Sequence, residues 1–216
     1  MTTTSMLTNL RPVGGPGLQD GRPRTVYRAN TEESVPPSAY PALDGVVDLR
    51  RDDEIERVPH PLGSADGYRG VPLFDPSKTE AGAAAVQLEE QYVDWLTRHR
   101  GGIAAALRAI AETEGDVLVC CSAGKDRTGV ISALLARHWG ASTALVGDDY
   151  AASADGLAER FARERAVSTD LDATAVAQRC VPEIMTTVIA HVEARWGSVE
   201  GYMGWIGLTD AEIGAL

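Results

Sequence analysis

The sequence predicts an α/β fold: a central, mostly parallel sheet flanked by helices, with a helical C-terminal half. Three observations carry that reading. The runs at 45–50 and 117–121 are short and nearly continuously apolar, the pattern of strands buried on both faces. The second run passes through the loop Cys120-Cys-Ser-Ala-Gly-Lys-Asp-Arg-Thr-Gly129 into a stretch with apolar residues at helical spacing, and α/β sheets hold their ligands at such strand-to-helix junctions. Beyond it, Ile184, Val188, Val192 and Trp196 recur every four residues, as on one face of a helix.

Taken in order, the turn residues Gly14, Gly15, Gly17 and Gly21 precede a candidate strand at 24–28, and Pro36 with Pro37 marks a loop. Strands follow at 45–50, 69–74 and 117–121. A helix over 80–98 carries Leu88, Tyr92, Trp95 and Leu96 on one face. Gly101 and Gly102 then interrupt, before a helix over 103–112. Thr209 with Glu212 makes a capping box for the last helix. There is no internal repeat and no low-complexity tract.

A chain of 216 residues with 44% apolar side chains can bury one good core, so a single domain over 1–216 is expected. The net charge of −11, from 20 basic and 31 acidic side chains, argues against nonspecific nucleic-acid binding and against attraction to anionic lipid. No stretch approaches the roughly 20 apolar residues that cross a bilayer, and residues 1–9 lack a basic start and an apolar core, so stable membrane insertion is not expected. Three cysteines suit a reducing compartment, and the expectation is the cytoplasm. His60, His99, His138 and His191 have no metal spacing, so neither metal nor cofactor is expected. Nothing in the sequence indicates an oligomeric state.

The loop carries the chemistry. Cys121 precedes Arg127 by six positions, a length that can curl so that successive backbone N–H groups of Ser122, Ala123 and Gly124 point inward at an anion. Arg127 returns to grip two of its oxygens with a bidentate fork. The inward amides, the helix N-terminus and the guanidinium all favour an anionic sulfur, which makes Cys121 a candidate nucleophile toward phosphorus. An ATP-type loop needs Gly-x-x-x-x-Gly-Lys followed by Ser or Thr; here Val119 replaces the first glycine and Asp126 follows Lys125. Zinc is disfavoured because Cys120 and Cys121 are adjacent and Cys180 is the only other cysteine.

With these residues the chain resembles the bacterial tyrosine phosphatases related to mycobacterial protein tyrosine phosphatase B, whose loop reads His-Cys-x-Ala-Gly-Lys-Asp-Arg-Thr-Gly. Asn9-Leu-Arg-Pro-Val-Gly-Gly15, Val26-Tyr-Arg-Ala29, Val46-Val-Asp-Leu-Arg50 and the C-terminal Gly197-Ser-Val-Glu-Gly-Tyr202 are similar to further motifs of that family. The resemblance implies a cysteine-phosphatase-like fold. It implies hydrolysis of phosphotyrosine, with phosphoserine and phosphothreonine as secondary substrates, through a phosphocysteine. It also allows secretion without a cleavable signal, and makes residues 140–180 a candidate helical lid, the other reading being additional helical packing. The chain departs from the pattern at Cys120, where the family has histidine.

Hydrolysis also needs a proton donor for the leaving oxygen and a base for water. Asp75, on the loop after the strand at 69–74, resembles the family's proposed acid; Asp126 lies inside the loop itself. Lys125 is expected to contact substrate, and Thr128 to hydrogen-bond the leaving thiolate or to cap the helix beginning there. Asp48 and Arg50 read as a structural ion pair. The substrate is then a phosphorylated protein or a phosphoinositide. Two alternatives stay open: a phosphoinositide or inositol phosphate phosphatase, and a weakly active phosphate-binding module.

Overall fold

The computed structural model describes residues 7–31, 35–74 and 87–216. Strands β1 (Arg11–Pro12), β2 (Val26–Asn30), β3 (Gly45–Asp48), β4 (Tyr68–Gly70) and β5 (Val117–Cys121) form one sheet in the order β1-β2-β5-β3-β4. Only the β1–β2 pair is antiparallel. All five residues of β5 are buried between β2 and β3, which is why its sequence is continuously apolar. Successive side chains of β5 point to opposite faces: Val117, Val119 and Cys121 enter the main core, while Leu118 and Cys120 join a smaller cluster with Ala29, Val35, Tyr40 and Val46.

The helices are α1 (Asp52–Arg57), α2 (Leu88–Arg98), α3 (Arg100–Ala111), α4 (Asp126–His138), α5 (Thr143–Ala151), α6 (Ser153–Gly156), α7 (Ala158–Val167), α8 (Leu171–Ala177), α9 (Pro182–Trp196), α10 (Val199–Trp205) and α11 (Asp210–Gly214). Helix α4 is buried along most of its length, and Ile184, Val188 and Val192 of α9 are buried in the same core. The α/β class, the mostly parallel sheet and the helical C-terminal half are as the sequence predicts. The box at the last helix forms too: the Glu212 N–H donates to Thr209 Oγ1 at 3.2 Å and the Thr209 N–H to Glu212 Oε2 at 2.7 Å.

Three elements differ from expectation. The first parallel strand begins at Val26, and the two-residue β1 that flanks it is too short to leave a pattern. The strand expected over 69–74 ends at Gly70: Val71 and Leu73 still donate to the Asp48 and Leu49 carbonyls, but these are successive residues of the neighbouring segment and the Arg50 N–H turns to Asp48 Oδ1 at 3.1 Å, so the regular ladder stops. Gly101 and Gly102 do not interrupt a helix: the break falls at His99, and α3 runs through both glycines. A Cβ on Gly102 would lie 2.1 Å from the Leu73 carbonyl oxygen, so this glycine serves close backbone approach. The helix expected over 80–98 is described from Leu88; positions 80–86 lie outside the described residues.

Candidate active site

Cys121 ends β5 and Arg127 lies in the first turn of α4, so the loop between them spans the carboxyl edge of the sheet. Its carbonyls are taken by donors outside the loop. Thr31 Oγ1 donates to the Cys121 carbonyl at 3.1 Å and the Thr31 N–H to that of Ser122 at 3.1 Å. Asn9 Nδ2 donates to the carbonyls of Ala123 and Gly124, at 3.0 and 3.1 Å, and Arg28 Nη2 to that of Gly124 at 2.9 Å. In a trans peptide the next N–H points opposite the C=O, so outward carbonyls turn the N–H groups of Ser122, Ala123, Gly124 and Lys125 toward the loop's interior. Gly124 permits the curl: its φ is +65°, and a Cβ there would lie 2.3 Å from the Ala29 carbonyl.

A buried charge cluster fixes the donors. Asp149 of α5 accepts from Arg28 Nη1 at 2.6 Å and from Arg11 Nε at 2.9 Å. Burial alone would raise the Asp149 carboxyl, but the two guanidinium groups hold it below its ordinary value. Desolvation and the neighbouring Arg28 bring Arg11 down to about 10, with Asp149 acting in the opposite sense.

Arg127 is held by Glu54 of α1, whose two carboxylate oxygens accept from Nη1 at 2.6 Å and Nη2 at 2.8 Å. Burial opposes charge on both partners, yet their pairing keeps Glu54 below and Arg127 above the ordinary value. The Phe74 ring lies 5.3 Å from the guanidinium centre. Two of five N–H donors are thus spent on orientation, leaving three for a ligand.

Cys121, Lys125, Asp126 and Arg127 line a cavity of about 490 Å³, together with Arg160 and Phe161 of α7 and Ala177 of α8. Arg160 reaches back to the loop, donating to the Ser122 carbonyl at 2.9 Å and to Ser122 Oγ at 3.0 Å. Asp126 accepts from Tyr92 Oη and lies 3.1 Å from Lys125 Nζ. Lys125, read from the sequence as a substrate contact, is 1% exposed and directs its ammonium to Asp126 and to the carbonyls of Ala177 and Arg179. Thr128 is fully buried with an unpartnered hydroxyl, so it does not cap α4. Cys120 is on the opposite face from Cys121, and burial together with nearby Asp48 pushes its thiol well above the ordinary value. Asp48 and Arg50 pair at 2.7 Å. Asp75 lies outside the described residues.

Of the residues named from the sequence, Cys121, Ser122, Ala123, Lys125, Asp126 and Arg127 line one cavity; Asn9, Arg28, Glu54, Tyr92, Asp149 and Arg160 were missed. Asn9 and Arg28 stood within the quoted motifs, but as landmarks without a role. The others meet the loop only through tertiary contacts, for which a lone sequence carries no signal.

A family model of the tyrosine phosphatase family matches residues 2–216, so the chain belongs to that family. It is 29% identical over 184 residues to a tyrosine-protein phosphatase of Nostoc commune, an alignment covering 77% of this chain and 62% of that relative. The chain therefore spans under two thirds of the relative's length. Among the described residues no helix is long and apolar enough to cross a membrane.

Proposed function

We propose that this chain is a cysteine-dependent phosphatase that hydrolyses phosphotyrosine in proteins through a phosphocysteine, with phosphoserine and phosphothreonine as slower substrates. The observation that carries this reading is the loop whose carbonyls are all drawn outward while Arg127 is clamped over the same cavity as Cys121. Cys121 Sγ attacks phosphorus; the P–O bond to the leaving group breaks, and the leaving oxygen takes a proton from Asp75 or Asp126. Loop amides and the three remaining Arg127 donors hold the equatorial oxygens as charge builds on them. Water then attacks phosphorus and gives a proton back to that carboxylate, the P–S bond breaks, and the thiolate leaves beside the Thr128 hydroxyl. Lys125, which lines the cavity, supplies positive charge beside Asp126, and α7 with α8, from the 140–180 region, serve as the cavity's lid within a single 1–216 domain.

A second reading, hydrolysis of phosphoinositides or inositol phosphates, is favoured by one observation. Beside the first cavity lies a cleft of about 370 Å³ lined by Arg50, Arg57, Arg160 and Arg163, and Ser122 lines both. Its carboxylates are already engaged, Glu54 by Arg127 and Glu164 by Arg160. A phosphotyrosine peptide, a phosphoinositide panel and vanadate inhibition, assayed together, test both. Fastest turnover of the peptide with vanadate inhibition supports the first reading, and preference for inositol phosphates supports the second. Phosphate binding without turnover of either leaves only a binding module.

A further inference from the structure

Asp126 faces a difficulty at its position: a carboxylate inside a phosphate loop repels the ligand. Two groups, one from α2 and one from the loop itself, meet that difficulty. Tyr92 of α2, fully buried, donates its hydroxyl to Asp126 Oδ1, and Lys125 Nζ lies 3.1 Å from the same oxygen. Tyr92 has one hydroxyl proton, given to Asp126; Tyr150 Oη lies 3.1 Å from Tyr92 Oη and 3.4 Å from the Arg179 carbonyl, so its single proton is divided between those two acceptors. Tyr150 is fully buried behind Tyr92, with Gly129 of α4 packed against its ring, so its hydroxyl is the outer contact of the one that holds Asp126. No described residue donates to Oδ2, and the Asp126 side chain is 33% exposed at the cavity that holds Cys121.

We propose that Tyr92 is a positioning residue that holds Asp126 by Oδ1 so that Oδ2 alone exchanges protons in the cavity. This rests on the phosphatase reading above. In the hydrolytic half-reaction the water oxygen forms the new P–O bond, its proton passes to Oδ2, the P–S bond breaks and its electron pair stays on Cys121 sulfur. The hydroxyl and ammonium on Oδ1 also draw charge from the carboxylate, so a phosphoryl dianion is tolerated beside it.

The test is a double-mutant cycle of Tyr92→Phe and Asp126→Asn, read as kcat and its pH profile on p-nitrophenyl phosphate and a phosphotyrosine peptide. In the wild-type background Tyr92→Phe lowers kcat about tenfold, the size of losing one hydrogen bond to a charged group. It also moves to higher pH the acidic limb that Asp126→Asn abolishes. In the Asp126→Asn background it has no further effect. An equal loss in both backgrounds, or a Tyr92→Phe enzyme with unchanged kcat and pH limb, overturns the proposal. Should Tyr92→Phe fail to fold, Tyr150→Phe removes the outer hydroxyl without opening space beside Asp126. It must then shift both readouts in the same direction by a smaller factor, again only when Asp126 is present, and absence of that shift overturns the proposal. Wild-type enzyme that turns over neither substrate brings down the phosphatase reading and this proposal together, whereas an active wild type with additive mutants brings down this proposal alone.

Discussion

A guanidinium fork stabilises a transferring phosphoryl group only if its plane is set before the group arrives, and here Glu54 sets it with two hydrogen bonds at 2.6 and 2.8 Å. Glu54→Gln keeps the size and one acceptor but loses the charge, so kcat/KM for a phosphotyrosine peptide should fall by about tenfold or more with an unchanged fold, measured by steady-state kinetics and circular dichroism. Unchanged kcat/KM would remove Glu54 from the site. Spacing made Cys121 and Arg127 legible together with the apolar strand before them and the helical pattern after, because a loop of that length between such elements can return its seventh residue to its first. Glu54 was not legible: it precedes Arg127 by 73 positions, and a glutamate in an acidic helix start has no mark that separates it from Asp52 or Asp53. Lys125 was legible as a residue of the cavity, but its partners were not. Its neighbours in sequence face an anion, but its long stem carries the ammonium to the α8 carboxyl end, a partner contributed from more than 50 residues away.

Among the elements, β5 was readable to the residue because it is buried on both sides and leaves a continuous apolar run. Helix α3 was misjudged through Gly102, since a glycine pair reads as a break unless something else occupies the space where a Cβ would be. That space is filled by the Leu73 backbone, just before the Phe74 ring that faces Arg127. Gly102→Ala should therefore gain helix propensity and still lose stability, by roughly 1–3 kcal/mol of forced displacement, read from urea unfolding midpoints. Gly101→Ala is the control: a Cβ there meets nothing within 4 Å, and its added propensity should stabilise α3. Equal effects of the two substitutions would deny the close approach.

At the scale of the whole molecule, the sheet brings segments from Asn9 to α8 into one site. Asn9 and Arg28 hold the loop from one edge, Glu54 orients its arginine from the other, and residues of α7 and α8 line the cavity. The same packing stores a pH dependence. His60 is buried between Tyr40 and Tyr68, and desolvation pushes it down to about 4. The unfolded chain binds a proton at His60 below about pH 6.5, whereas the folded protein resists it until about 4. Stability should therefore fall as pH drops through that window, by at most about 3 kcal/mol from this residue, and the fall should level off below it. Urea unfolding at pH 7.5 and 4.5 checks this: His60→Gln should show a smaller drop than wild type, and equal drops would refute the assignment. The central claim, that Cys121 carries the phosphoryl group, is tested most directly by acid-quenching wild-type enzyme during turnover of a phosphotyrosine peptide and locating the covalent phosphate by mass spectrometric fragmentation. A single phosphoryl group on Cys121, absent from Cys121→Ser, is the expected result; phosphate on Cys120, or none on any cysteine of an enzyme that is turning over, contradicts it.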